Sequence, residues 1–152
     1  MQVKELGHVV VWDLISFFKY DNVDSTSAPN PLGVTHAIKK AYNWGRSQTE
    51  RAIRDGLCLG FNDDAKSRQL FDGVIPHVAD AGRMWLNHRF AYGTSPVGQM
   101  YETHDNPADR FPLAYSMTTD NVTRKTDGIL KHPDTDPLIL PNQIATEYWQ
   151  QH

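Results

Sequence analysis

The sequence predicts an α/β fold in which parallel strands are connected by crossover helices. Short, nearly continuous apolar segments near residues 41–44, 69–79 and 136–143 have the character of buried strands. Parallel strands are buried on both faces, and they therefore appear as short apolar runs rather than as alternating patterns. A helical segment separates the first two strands and a long excursion precedes the third, which is typical of crossover connections. A chain of 152 residues fits one domain.

Composition narrows the class of protein. Hydrophobic residues make up 39% of the chain and aromatic residues 11%, which indicates a folded globular protein. The net charge of -3 is spread over both signs, so we expect no nucleic-acid partner and no anionic membrane partner. No apolar run approaches the ~20 residues of a membrane span, and a cytoplasmic location is expected. One cysteine, Cys58, excludes an internal disulfide and a multi-cysteine metal site.

Two helices are predicted. Residues 8–20 place Val10, Leu14, Phe17 and Phe18 on one stripe, which predicts a helix that buries this face. After the loop at residues 21–33 and the first strand, helical spacing resumes behind Ser47. There Ala52, Ile53 and Leu57 share a face, and Gly60 is the expected stop.

The middle of the chain has no sustained period. Residues 82–126 mix Pro, Gly, Asn, Asp and aromatic residues, and we expect a long irregular excursion with short helical turns. A segment of this length without regular structure is unusual in a compact domain unless it is functional. Residues 145–152 have the character of a helix start that follows the third strand.

The stretch AYNWGRSQTERAIRDG, residues 41–56, leads from a strand into a helix through Ser47. A sharp turn at this point exposes the serine hydroxyl above the sheet, and the Gln48 N–H then becomes a donor for an oxyanion. The alternative is an ordinary helix cap, because serine is a preferred N-cap residue. The usual nucleophile pattern has glycine two residues after the serine, and this chain has Thr49.

Several motifs in order resemble a little-characterised bacterial family of α/β-hydrolase domain proteins. They extend over nearly the whole chain: WDLISFFKY at 12–20; Gly45, Ser47, Gln48, Arg51 and Arg54; Gly60-Phe61-Asn62; Phe71-Asp72-Gly73; Pro76-His77 with Ala79; Asn87 with Arg89-Phe90-Ala91; and the segments 109–115, 125–130 and 146–149. The resemblance implies a partial α/β-hydrolase fold with its terminal strands missing, and esterase-like hydrolysis of a small-molecule ester. It also implies Ser47 as nucleophile and Glu147 as candidate acid.

Three positions depart from the family pattern. Thr49 stands where the family has serine, and Glu50 where it has glycine, so that a long carboxylate follows the nucleophile by one helical turn. An acidic residue suits a helix N-terminus, but at this position it is expected to crowd the site or to repel an oxyanion. Trp12 stands where the family has arginine.

The general base is missing from its expected place. In this fold the order is serine, acid, histidine, and the chain ends at His152, too close to Glu147 for a further strand. We therefore expect the family's histidine to be absent from this chain, with His77 and His104 as weak substitutes. Asp120, Asp127 and Asp136 are rival acids, although loop aspartates usually belong to turns. Neither His104-Asp105-Asp109 nor His132-Asp134-Asp136 has the spacing of an established metal loop, and no metal or cofactor is predicted.

Two functions remain open. The first is a serine hydrolase that acts through Ser47 and is incomplete in this chain. The second is a non-catalytic remnant or interaction module that keeps the scaffold. Uncovered strand edges and apolar faces would then favour self-association.

Overall fold

A computed structural model of the chain describes residues 6–33, 37–78, 82–84 and 110–145. Two helices and five strands follow one another in these ranges: α1 (Leu6–Tyr20), β1 (Tyr42–Arg46), α2 (Gln48–Cys58), β2 (Gly73–His77), β3 (Thr118–Thr119), β4 (Thr126–Asp127) and β5 (Leu138–Ile139). No helix in these ranges is long and apolar enough to cross a membrane.

A three-stranded parallel sheet organises the chain, with β2 between β1 and β5. In the register of β1 and β2, Trp44 lies opposite Ile75 and Arg46 opposite His77. Beyond β5 the pairing continues through the Asn142 N–H, which donates to the Pro76 carbonyl at 2.8 Å. The predicted α/β class with parallel strands is confirmed, and all three predicted strands exist. Their predicted burial on both faces is wrong for β1 and β5, which expose Tyr42, Trp44 and Leu138. The first strand continues two residues past its predicted end at Trp44, and the other two are shorter than the predicted apolar runs.

Helix α2 crosses over from β1 to β2 and buries two of the three residues of the predicted face, whereas Ala52 is half-buried. Ile53 and Leu57 join Val74 of β2 and the fully buried Leu70 in the core. The helix ends where the sequence predicts, because Gly60 has φ 81° and its N–H donates to the Leu57 carbonyl. The Phe61 N–H then donates to the Gly56 carbonyl, which completes a Schellman cap.

The predicted buried face of α1 is wrong at Val10 and Leu14, and Phe17 and Phe18 of that face are half-buried. Val10 and Leu14 are 62% and 47% exposed, whereas Trp12, Ser16 and Lys19 are buried. The cause is a set of specific polar and steric contacts that the apolar pattern does not register. They are the Lys19 Nζ bonds to the Leu70 carbonyl (2.8 Å) and to Asp72 (3.1 Å), the Ser16 hydroxyl bond to Asp64 (2.7 Å), and the packing of Trp12 over Gly56.

The excursion contains a strand pair that the sequence pattern does not predict. In its described part, β3 pairs antiparallel with β4, and the connection between them contains one short helical turn of the predicted kind, in which the Arg124 N–H donates to the Asp120 carbonyl at 2.9 Å. Both flanks of the undescribed residues 85–109 are held by α2. Arg54 Nε donates to the Gly82 carbonyl at 3.1 Å, and its Nη2 donates to the Leu113 carbonyl at 2.5 Å. The predicted helix start at 145–152 lies, except for Ala145, outside the described residues.

Candidate active site

Ser47 lies at a sharp turn between a parallel strand and a helix. It directly follows β1 and directly precedes α2, with φ 54° and ψ -119°. These angles lie outside the regions that a residue with a Cβ adopts comfortably, and such strain costs of order 1–3 kcal/mol. Strained residues concentrate at functional sites. The sequence predicts the turn but not this backbone conformation.

Gly45 allows the helix to start close behind the strand. A Cβ at this position would lie 2.5 Å from the Ile53 Cδ1 atom and 2.9 Å from the backbone nitrogen of Glu50. Any larger residue would therefore push the first turn of α2 away from β1. The close approach of helix and strand thus explains why the residue two positions before Ser47 is glycine.

The Ser47 hydroxyl does not cap the helix. Ser47 occupies the N-cap position of α2 and its carbonyl accepts the Arg51 N–H at 3.1 Å, yet its side chain makes no capping hydrogen bond. Ser47 is exposed. The cap interpretation, which the sequence left open, accounts for the position of Ser47 but not for its exposed hydroxyl or its strained backbone.

The amides around the turn have different roles. The Ser47 N–H donates to the His77 carbonyl at 2.9 Å and is therefore not a donor for an oxyanion. Gln48 is the first residue of α2, and the first N–H groups of an α-helix have no intrahelical acceptor. The helix dipole adds partial positive charge at this end. The predicted oxyanion donor, the Gln48 N–H, thus lies directly beside the serine.

Thr49 closes the turn with its side chain. Its Oγ1 accepts the Arg46 N–H at 2.9 Å and donates to the Arg46 carbonyl at 2.7 Å. Ser47 and Gln48 lie between these two residues, so the hydroxyl bridges the turn that carries Ser47. In the sequence, Thr49 stands out only as a departure from the usual glycine. The hydroxyl of a residue two positions after the serine is the sequence feature that could have indicated this bridge.

Glu50 is buried, and the expectation that its carboxylate crowds the site or repels an oxyanion stays a prediction. The residue is 4% exposed in the first turn of α2, whereas Ser47 is exposed. Its charge acts on Tyr115: burial raises the pKa of the Tyr115 phenol, Arg54 opposes this rise, and Glu50 adds to it. Arg54 also covers the Tyr115 ring, with its guanidinium carbon 4.7 Å from the ring centroid. Glu50 and Arg54, both buried, therefore act on the same phenol in opposite directions.

The structure brings His77 next to the serine through the main chain but not through its ring. His77 ends β2, and its carbonyl holds the Ser47 N–H. Its imidazole is stacked against Trp44, with ring centroids 6.4 Å apart and an interplanar angle of 23°. The ring is therefore held on the sheet by an aromatic contact rather than by a hydrogen bond to the Ser47 hydroxyl. His104 and Glu147 lie outside the described residues.

The other described histidines lie at the opposite end of α2. A Cβ on Gly60, just past the end of this helix, would be 2.9 Å from the Nε2 atom of His132. His8 contacts the Trp12 ring, with centroids 4.9 Å apart, and stacks on Phe61. Neither histidine approaches the N-terminal end of α2, where Ser47 lies.

The three rival aspartates belong to their own turns. Asp120 accepts the Thr123 N–H at 2.9 Å, Asp127 accepts the Gly128 N–H at 2.8 Å, and Asp136 accepts the His132 N–H at 2.8 Å. Hydrogen bonds from Thr123 lower the pKa of Asp120, and the Gly128 N–H lowers the pKa of Asp127. These contacts explain the three carboxylates as turn residues.

Within the described ranges, no group of three or more His, Cys, Asp or Glu residues has a metal-binding arrangement. The candidate set at 132–136 instead forms a tight turn, in which the Thr135 and Asp136 N–H groups both donate to the His132 carbonyl. Comparison of the chain with models of protein families, with curated proteins and with solved structures finds no match.

Proposed function

We propose that the chain is a serine hydrolase of the α/β-hydrolase type that acts on an ester through Ser47. The observation that carries this proposal is the backbone of Ser47, at φ 54° and ψ -119° between a parallel strand and a helix, with its side chain exposed. A nucleophile elbow requires this strained strand-to-helix turn. The order β1, α2, β2 with parallel pairing, and the motifs named above, favour a partial hydrolase sheet.

The reaction assigns a role to each group at the turn. Ser47 Oγ attacks the ester carbonyl carbon, and the carbonyl oxygen takes the electron pair while the Gln48 N–H donates to it. The Ser47 proton passes to a histidine, and the alkoxide leaves with that proton as the alcohol. Water then releases the acid from the acyl-serine. His77 and His104 are the candidate bases and Glu147 the candidate acid that orients one of them.

Fluorophosphonate labelling tests this proposal directly. We expect covalent labelling at Ser47, located by peptide mass spectrometry, and its loss in Ser47→Ala. Ser116, exposed in the loop before β3, gives a matched control, because Ser116→Ala is expected to label like the unmodified chain. A folded sample that takes up no label at Ser47 would contradict the proposal.

A second candidate function, an interaction module without catalysis, is favoured by one face of the sheet. We call this the open face; it carries Tyr42, Trp44, Leu138 and Leu140. These side chains are 67%, 62%, 83% and 67% exposed, although parallel sheets normally have both faces covered. A second copy of the chain is the proposed occupant. Self-association without Ser47 labelling would favour this function, and a labelled monomer would contradict it.

A further inference from the structure

The structure assigns Thr49 a positioning role: its hydroxyl holds the strained turn in which Ser47 and the Gln48 N–H face the same substrate carbonyl. This inference rests on the proposed function, because it concerns the alignment of the same nucleophile. It is carried by the contacts of one hydroxyl with the two main-chain groups of Arg46, at 2.9 and 2.7 Å.

The strained backbone of Ser47 persists only if its surroundings hold it. Three contacts on β1, β2 and α2 do so: the close approach of Gly45 to α2, the Ser47 N–H bond to His77, and the Arg51 N–H bond to the Ser47 carbonyl. All three involve main-chain atoms of the sheet and helix. The Thr49 hydroxyl is the one side-chain group among the described residues that spans the turn itself.

The geometry of this bridge fixes the two residues between its ends. Arg46 precedes the nucleophile and Thr49 follows it by two positions, so a rotation of the Ser47 or Gln48 peptide has to break one of the two bonds. Because β1 pairs with β2 alone among the described strands, no second strand offers partners to the main chain of Arg46. Without the Thr49 hydroxyl, the N–H and carbonyl of Arg46 would have water as their partner, and water does not restrict the turn.

Thr49 occupies a position at which nucleophile turns usually have glycine. The common nucleophile pattern places glycine two residues after the serine, where the absence of a side chain lets the helix approach. Here the side chain is present, Thr49 is exposed, and its hydroxyl turns back onto the strand end. Oriented donors act on the transition state only if they are fixed before the reaction, so a looser turn lowers the rate of attack rather than substrate affinity.

Thr49→Val tests the inference, because valine keeps the shape of threonine and removes the hydroxyl. We expect the rate constant for fluorophosphonate labelling of Ser47 to fall about tenfold, and kcat for a chromogenic ester to fall equally with KM unchanged. Thr49→Ser keeps the hydroxyl and is expected to stay within about twofold of the unmodified chain. Thr126→Val, which removes an exposed threonine hydroxyl in the β3–β4 pair, serves as the matched control.

Each outcome decides one proposal. Labelling of Thr49→Val at the unmodified rate, with Ser47 still labelled in the parent chain, overturns the role of Thr49 and leaves the hydrolase proposal standing. Absence of labelling in the parent chain overturns the hydrolase proposal itself. If Thr49→Val unfolds, Thr49→Ala gives the same comparison. A melting temperature that falls without any change in the labelling rate identifies a purely structural hydroxyl and also overturns the inference.

Discussion

At the scale of single residues, the backbone of Ser47 is expected to lower the stability of the fold. Ser47 has φ 54° with a Cβ present, whereas glycine adopts such angles without steric cost. Ser47→Gly removes the strain and the hydroxyl together, and Ser47→Ala removes only the hydroxyl. We expect Ser47→Gly to raise the free energy of unfolding by about 1 kcal/mol and Ser47→Ala to leave it within about 0.5 kcal/mol.

Urea unfolding of the two variants measures this difference. Gly7 gives a control for the substitution itself, because it lies in α1 and an added Cβ would meet nothing within 4 Å. Gly7→Ala is therefore expected to stabilise the chain through helix propensity alone. A Ser47→Gly variant less stable than Ser47→Ala would mean that the turn is not strained. If the proposed function is correct, the strain at Ser47 is a loss of stability in favour of activity.

Residue identity predicts the position of the turn at Ser47 better than it predicts the contacts around that turn. Gly45 and Ser47 indicate the turn because a close strand-to-helix connection requires a small residue before it. The Thr49 bridge to Arg46 depends on a side-chain rotamer at an exposed position, and no sequence pattern fixes a rotamer. The stacking of His77 on Trp44 depends on the register of two strands, which the sequence of either strand alone does not contain.

At the scale of elements, the attachment of α1 to the sheet depends on one carboxylate. Asp72, just before β2, forms ion pairs with the buried Lys19 at 3.1 Å and with Lys40 at 2.8 Å, and accepts the Ala41 N–H at 2.9 Å. Burial by itself raises the pKa of Asp72, but these hydrogen bonds outweigh it and lower the pKa to about 2. Asp72 therefore joins α1, the chain before β1 and the start of β2.

The sign of the pH dependence follows from this lowered pKa. Because the unfolded carboxyl titrates near 3.8, the stabilisation is present above about pH 4 and is lost as the pH falls towards 2. We expect Asp72→Asn to lower the free energy of unfolding by about 2 kcal/mol at pH 7, and by much less at pH 2. Urea unfolding at several pH values measures this. Asp13→Asn, on an exposed part of α1, changes the charge equally without touching the pair, and an equal loss there would contradict the role of Asp72.

Helices and strands were predictable where apolar burial alone determines their position and orientation. They were not predictable where polar contacts determine them. The parallel strands and the buried side of α2 follow from apolar runs and spacing. The rotation of α1 does not, because Lys19 and Ser16 find partners in residues 64–72 that are distant in the sequence. The β3–β4 pair was missed because each strand has two residues, too few to show an alternating pattern.

At the scale of the whole molecule, the sheet is covered on one side only within the described residues. Gly45 and Val74 face α2, while Tyr42 and Trp44 lie on the open face with Leu138. A buried aromatic side chain contributes about 150–250 Å², so two-thirds exposure leaves roughly 200–330 Å² on the two aromatic residues. A twofold contact doubles this area, and Leu138 and Leu140 bring it towards the ~1,000 Å² of a stable interface.

We therefore expect the chain to form dimers or larger oligomers through its open face. Leu138→Lys places a charge on the most exposed residue of that face, away from Ser47, and is expected to shift the species in sedimentation velocity towards monomer. Val122→Lys adds the same charge at the 88% exposed turn between β3 and β4 and is expected to leave the distribution unchanged. A parent chain that sediments as a monomer at tens of micromolar would contradict the contact. A loss of oligomers in both variants would instead assign the association to net charge, because the two substitutions change it equally.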